Sequence, residues 1–268
     1  NGNRYGEWES KTFNTMTEEE AAETWCNDMD SYQMDFISRR MSGLLRHNLD
    51  FFTTYKLLTR DERADGAVTM DYFRSHRAMR PFFCKISENL IQEIADADNK
   101  GRFVIFTKET EDGPIKYIRA AQGHSGRIEI DDDEAFNSVE PGMGWPQCCL
   151  HGTTRDRLNS IIANGLRPGG MPHDRHHEDH ARHHIHFASS WYPSRGVIPG
   201  MRRSNTVIIN VDIQRAMKDG IKFYYPTNDV ILTRGYQEGV LPSSYFFNVT
   251  NNDRRNSLVW RPGMAAPL

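Results

Sequence analysis

The sequence predicts an α+β protein in two lobes: helices closed by a β-hairpin, then a mixed, mostly antiparallel β lobe. Three observations predict it. The first half carries helix-period apolar spacing, followed by two β-rich runs around a tight turn. The second half carries many short apolar runs with only one substantial helix among them, which suits a mixed sheet rather than a doubly wound one. The chain has 268 residues, long for one domain and ample for two.

The elements follow in order. Residues 1–35 hold nine acids against two bases and few recurring apolar positions, so they read as an acidic leader extension. The first lobe is expected over 36–130. Phe36 to Leu49 puts Ile37, Met41, Leu44 and Leu45 on one helical face. Asp65-Gly66 marks a turn before a short helix at about Met70 to His76. Ser87 can cap a helix running to about Ala97, with Ile91 and Ile94 inward and Glu88 in its first turn. Arg102–Thr107 and Ile115–Ala121 are β-rich runs around Asp112-Gly113-Pro114. Helices followed by a hairpin give the outline of a winged-helix module, an outline that many small domains share.

The second lobe is expected over 131–268, after the acidic loop Asp131–Glu134 and the turn Pro141–Gly144. Cys148–Gly152 reads as a buried strand. Thr154 can cap a helix Arg155–Asn164 that Gly165 ends. Strands follow at His184–Ala188, Thr206–Val211, Ile221–Tyr225, Val230–Thr233 and Tyr245–Val249.

Composition excludes several classes. Hydrophobic residues at 38% can bury a core, so wholesale disorder is not expected. A net charge of −3 excludes a globally basic nucleic-acid coat, although residues 36–120 lean positive, fifteen bases to twelve acids. No apolar run approaches a membrane span of about 18 residues. Cys26, Cys84, Cys148 and Cys149 form no CxxC pair and no disulfide framework, which points to a reducing, intracellular compartment: cytoplasm, nucleus or an organelle. No signal-peptide pattern is read, and a first residue of Asn suggests a trimmed or processed chain or a piece of a longer one.

Five groups carry chemistry. Arg46-His47 ends the first helix, where the helix dipole favours cations; taken alone, a surface cap explains the pair. Arg119 is delivered by a strand that runs into Gln122-Gly123-His124-Ser125, where a glycine allows close backbone approach to a ligand. His151-Gly152-Thr153 ends a strand just before a helix N-terminus, a setting that suits an anionic or nucleotide ligand. Seven of eleven histidines lie between His173 and His186, yet their loop lacks metal-ligand spacing, so no metal site is expected. The end of that tract alternates, so Arg182, His184 and His186 share one polar, cationic face of a strand. Asn228 opens a strand, as a turn residue or as a ligand contact. Three arginines and one histidine without a carboxylate would make a positive site, and its natural guest is a phosphate held bidentately by Arg.

These residues, in this order, resemble the Tpt1/KptA RNA 2′-phosphotransferases. The resemblance rests on Leu45-Arg46-His47, Asp65-Gly66-Ala67-Val68, Lys100-Gly101-Arg102-Phe103 and Ile118 to Ser125. It continues with His151-Gly152-Thr153, Arg182 with His184-Ile185-His186, and Asn228 to Thr233, and covers roughly residues 36–250. It implies a winged-helix lobe and an NAD-binding lobe of the ADP-ribosyltransferase fold. It implies two chemical steps. An internal RNA 2′-phosphate, on tRNA above all, displaces nicotinamide from NAD. The ribose 2″-hydroxyl then attacks phosphorus, releasing 2′-OH RNA and ADP-ribose 1″,2″-cyclic phosphate. The catalytic tetrad falls on Arg46, His47, Arg119 and Arg182. NAD as co-substrate falls to His151, Gly152, Thr153, Ser189 and Asn228, and the RNA to Gln122, His124 and Ser125.

The chain departs from the pattern in its acidic leader and in the long histidine-rich loop, which makes Arg175 a rival to Arg182. Arg195, Arg202 and Arg203 form RNA contacts or a solvated edge. Two other classes of function are weighed. One is ADP-ribosyl transfer to a nucleic-acid end or to a protein; protein-modifying relatives carry a catalytic Glu, for which no clear candidate is read here. The other is a non-catalytic RNA-binding or assembly subunit that retains the fold.

Overall fold

The computed structural model describes residues 31–61, 63–76, 79, 88–140, 146, 148–169, 182–191, 204–226, 229–253 and 255–267. These form two compact units, one ending at Ala121 and one beginning at Gln122. The leader up to residue 30, Ser87, Arg175, Arg195, Arg202, Arg203 and Asn228 lie outside the described residues, as do Cys26 and Cys84.

The first unit opens with helix α1 (Ser31–His47). Its apolar stripe is the expected one: Ile37, Met41, Leu44 and Leu45 are all buried. The helix stops two residues before its expected end, because Asn48 leaves helical geometry to cap α2 (Leu49–Thr59), its side chain accepting from Phe51 N–H at 3.0 Å. Strand β1 (Val68–Thr69) and helix α3 (Met70–Ser75) follow the Asp65 turn, in which Asp65 Oδ1 accepts from Ala67 N–H at 3.0 Å. Helix α4 (Glu88–Ala97) buries Leu90, Ile91 and Ile94. Strands β2 (Phe103–Thr110) and β3 (Gly113–Ala120) form the hairpin in unbroken register from Phe103↔Ala120 to Thr110↔Gly113. The order β1-β3-β2 makes a three-stranded antiparallel sheet.

Arg102 staples this unit. It is 7% exposed, and its Nη1 donates to Asp98 Oδ1 at 2.6 Å and to Ser38 Oγ at 2.8 Å on α1. A segment on which the family resemblance leans thus has a structural task at this position.

The second unit contains α5 (Asp132–Ala135), β4 (Asn137–Ser138), β5 (Leu150–Thr153), α6 (Arg155–Asn164), β6 (Ile185–Ala188) and β7 (Val207–Val211). It continues with α7 (Ile213–Lys218), β8 (Tyr224–Tyr225), β9 (Val230–Thr233), β10 (Phe246–Asn251) and β11 (Leu258–Trp260). Among the described residues the sheet runs β11-β10-β7-β5-β6-β9-β8-β4, with every pairing antiparallel. The expected α+β class with antiparallel sheets is therefore the observed one. Leu158, Phe187, Ile209, Phe223, Ile231 and Val249 belong to the core between the sheet and its helices.

One cap differs from expectation. Thr154 sits at the N-cap of α6 but its side chain makes no capping bond. Arg155 N–H instead donates to Thr206 Oγ1 at 2.9 Å, so the residue before β7 supplies the oxygen. No described helix is long and apolar enough to cross a membrane.

Candidate active site

In the first unit, Arg46 and His47 form the last turn of α1, with Arg46 partly buried and His47 exposed. Arg119 lies on β3 opposite Val104 and donates to Ala120 O at 3.3 Å. Burial pulls its pKa below the ordinary guanidinium value, and the nearby Asp65 carboxylate opposes that.

The second unit begins with the expected ligand loop. Gly123 has φ of 84°, a left-handed conformation that lets the chain turn sharply between Gln122 and His124. The loop meets β6 and the residues before it. Gln122 Oε1 lies 2.5 Å from His186 Nε2. Ser125 pairs with Arg182 in an isolated antiparallel bridge, and Arg182 N–H donates to Gly169 O at 3.1 Å. His124 and Ser125 are buried, whereas the Arg182 side chain is exposed.

β5 stands between β6 and β7, which brings His151 beside His186. His151 Nδ1 lies 3.0 Å from His186 O. A carbonyl oxygen only accepts, so Nδ1 carries the proton. Burial lowers the His151 pKa against the carbonyl's opposing effect, which favours the neutral ring. Nε2 then keeps a lone pair and can accept a hydrogen bond from a ligand hydroxyl. Gly152 has a packing reason, since a Cβ there would lie 2.0 Å from Asn205 Nδ2. Thr153 is buried, and Ser189 donates its hydroxyl to Asp229 O at 2.8 Å, tying β6 to the start of β9.

The structure thus joins Gln122 to His186, His186 to His151, and Ser125 to Arg182. His184 departs from the expected cationic face. It is 2% exposed, and its Nε2 meets Asp132 Oδ2 at 3.0 Å. Asp132 also takes two bonds from Arg234, from Nε at 2.6 Å and from Nη2 at 2.9 Å. Sequence reasoning missed Asp132, Arg234 and Asn205. Asp132 sits in a run of four acids, and only its structure separates their tasks: Asp131 caps α5, while Asp133 binds Lys222 and the Tyr224 hydroxyl.

Among the described residues no group of three or more His, Cys, Asp or Glu could hold a metal ion. Burial pushes the Cys148 thiol up to about 11 and the Cys149 thiol well above its ordinary value, so neither is poised as a thiolate nucleophile.

Histidines, hydroxyls and an arginine gathered on an antiparallel α+β unit are groups suited to an anionic substrate. Residues 32–235 match the model of the RNA 2′-phosphotransferase, Tpt1/KptA family, and the chain belongs to that family. It is 35% identical over 183 residues to the tRNA 2′-phosphotransferase 1 of Bos taurus, covering 68% of this chain and 64% of that one. It is 30% identical over 210 residues to the Danio rerio protein of the same name, covering 78% and 82%. A putative tRNA 2′-phosphotransferase of Schizosaccharomyces pombe is 32% identical over 81% of this chain, which is only 51% of that protein's length.

Proposed function

We propose that the chain is an NAD-dependent RNA 2′-phosphotransferase. It removes an internal 2′-phosphate of the tRNA splice-junction type, giving 2′-OH RNA, nicotinamide and ADP-ribose 1″,2″-cyclic phosphate. On this reading the first unit is a winged-helix lobe that binds RNA and the second is an ADP-ribosyltransferase-like lobe. Family membership supports the reaction class, and the names of the relatives support the tRNA substrate.

The observation that carries the reading at the level of atoms is His151. Its Nδ1 is committed to His186 O at 3.0 Å, which presents Nε2 as an acceptor suited to a ribose hydroxyl. The residues fit NAD on that ground, with Gly152, Thr153, Ser189 and Asn228 as its other neighbours. NAD supplies an electrophilic anomeric carbon and nicotinamide as leaving group.

The chain's own groups do the rest. Gln122, His124 and Ser125 hold the RNA next to its 2′-phosphate. Arg46, Arg119 and Arg182 bind phosphate oxygens, and their charge counts most when negative charge builds on phosphorus in the second step. Fixed guanidiniums meet that charge without reorganising. A phosphate monoester is already a competent nucleophile, so no glutamate base is needed. His47 binds a phosphate oxygen or passes a proton.

The test is incubation with NAD and an oligoribonucleotide carrying an internal 2′-phosphate. Loss of that phosphate with release of the cyclic phosphate is expected. ADP-ribose retained on an acceptor, or no consumption of NAD, would refute the reading. Arg119→Ala is expected to slow the second step ~10²–10³-fold, so that RNA joined to ADP-ribose accumulates on a gel. Lys at that position should rescue poorly, because it keeps the charge but lacks the planar fork.

A further inference from the structure

Arg182 is the exposed guanidinium of the second unit's candidate set, and the structure fastens its neighbourhood residue by residue. Arg182 bridges to Ser125. His183 Nε2 lies 2.9 Å from Ile128 O. His184 Nε2 lies 3.0 Å from Asp132 Oδ2. Three successive residues are thus laced to one segment at Ser125, Ile128 and Asp132. Arg234, just past the end of β9, closes the lacing, binding both Asp132 oxygens and donating to Ile130 O at 2.9 Å.

Packing alone does not call for such a cluster. Asp132 is 6% exposed, and a buried ion pair is often no better for stability than apolar side chains of similar volume. What charged hydrogen bonds add is direction: the carboxylate fixes where His184 sits, and so where the backbone two residues earlier runs. We propose that Asp132, held by Arg234 and gripping His184, is a positioning residue that sets Arg182 for phosphate transfer. The inference rests on the reading of Arg182 as a phosphate ligand. On this proposal Asp132 acts through the segment that leads into β6, not by contact with a substrate.

A double-mutant cycle on the full chain tests this, using NAD and the internally 2′-phosphorylated oligoribonucleotide. Asp132→Asn is expected to lower kcat about 10²-fold, the cost of a misplaced catalytic group, while KM for NAD stays near native. In an Arg182→Ala background the same substitution should cost no more than about twofold further, because its route to the chemistry has gone. Equal losses in both backgrounds would overturn the proposal and leave Asp132 a stabilising residue. If Asp132→Asn fails to fold by circular dichroism, His184 carries the test. His184→Gln keeps a donor nitrogen for Asp132 and should hold kcat near native, whereas His184→Leu should lose about 10²-fold. Equal kcat in those two variants would overturn the proposal. Native activity in Arg182→Ala would refute the reading of Arg182 itself, and the positioning role with it.

Discussion

Replacing Gly152 by alanine tests whether that glycine is there for packing. The new Cβ would lie 2.0 Å from Asn205 Nδ2, 2.7 Å from its Cγ and 3.2 Å from its Cβ. The amide must retreat by about 1.5 Å to regain van der Waals separation. Asn205 can yield only by rotating its side chain. It is 8% exposed, and its backbone oxygen accepts from Asn252 Nδ2 at 2.8 Å. Its neighbour Thr206 donates to Thr153 O at 2.9 Å, which locks the backbone to β5. Overpacking of this kind costs about 1–3 kcal/mol. For a chain of this size that lowers Tm by about 4–8 °C at the middle of the range. The assay is thermal unfolding followed by circular dichroism, on Gly152→Ala, Asn205→Ala and the double variant. The double variant should recover at least about 1 kcal/mol relative to additivity, since the clash has been removed. A Gly152→Ala variant with native Tm and strictly additive pairing would refute the packing argument and leave ligand approach as the reason for the glycine.

Two further outcomes follow from the buried charges. The Asp132 carboxyl is raised by burial, but the hydrogen bonds from His184 and Arg234 outweigh this and lower it from 3.8 to about 2. A folded-state pKa below the unfolded one stabilises above the unfolded value and loses that stability as pH falls. Asp132 therefore contributes about 2 kcal/mol at neutral pH that disappears between about pH 4 and pH 2. Asp132→Asn should flatten the acid limb of stability measured by urea midpoints; an unchanged limb would contradict the assignment. In the first unit, Arg102→Leu strands Asp98, whose side chain is 4% exposed, without its guanidinium. A loss of about 3–5 kcal/mol is expected from denaturant unfolding, and a loss under about 1 kcal/mol would show that Asp98 finds another partner.

Periodicity and punctuation made much of the fold legible. The stripe Ile37, Met41, Leu44 and Leu45 announces α1, and α6 and β9 have the bounds that their sequences suggest. α2 was silent for a physical reason. Phe51, Phe52 and Tyr55 face inward, but Leu57 and Leu58 are 76% and 70% exposed, so its apolar residues do not form one stripe. β1 and β4 are two-residue strands, too short for an alternation to register, and of the expected strand Ile221–Tyr225 only Tyr224–Tyr225 forms β8. At the candidate site, Gln122, Ser125, His151 and Arg182 stood out because their residue types are chemically expensive to place at strand ends. Asp132 and Arg234 did not, being 102 residues apart in sequence and meeting only in the folded chain. Asn205 carries no signal at all, since its task is to fill the space that Gly152 leaves.

The single residue between α1 and α2 works like a fixed coupling between two shafts. Asn48 ends one helix and caps the next through Phe51 N–H, with no slack on either side. Arg46 and His47 keep the phase that the buried Met41, Leu44 and Leu45 give α1, and the joint fixes where α2, anchored in the core by Phe51 and Phe52, begins beside them. Adding or removing one residue there would turn α2 by about 100° relative to α1, setting one buried stripe against the other, more than a rotamer change can recover. The length of this joint thus matters to the packing of both helices more than the identity of the residue in it, and substitution at position 48 should be far better tolerated than insertion.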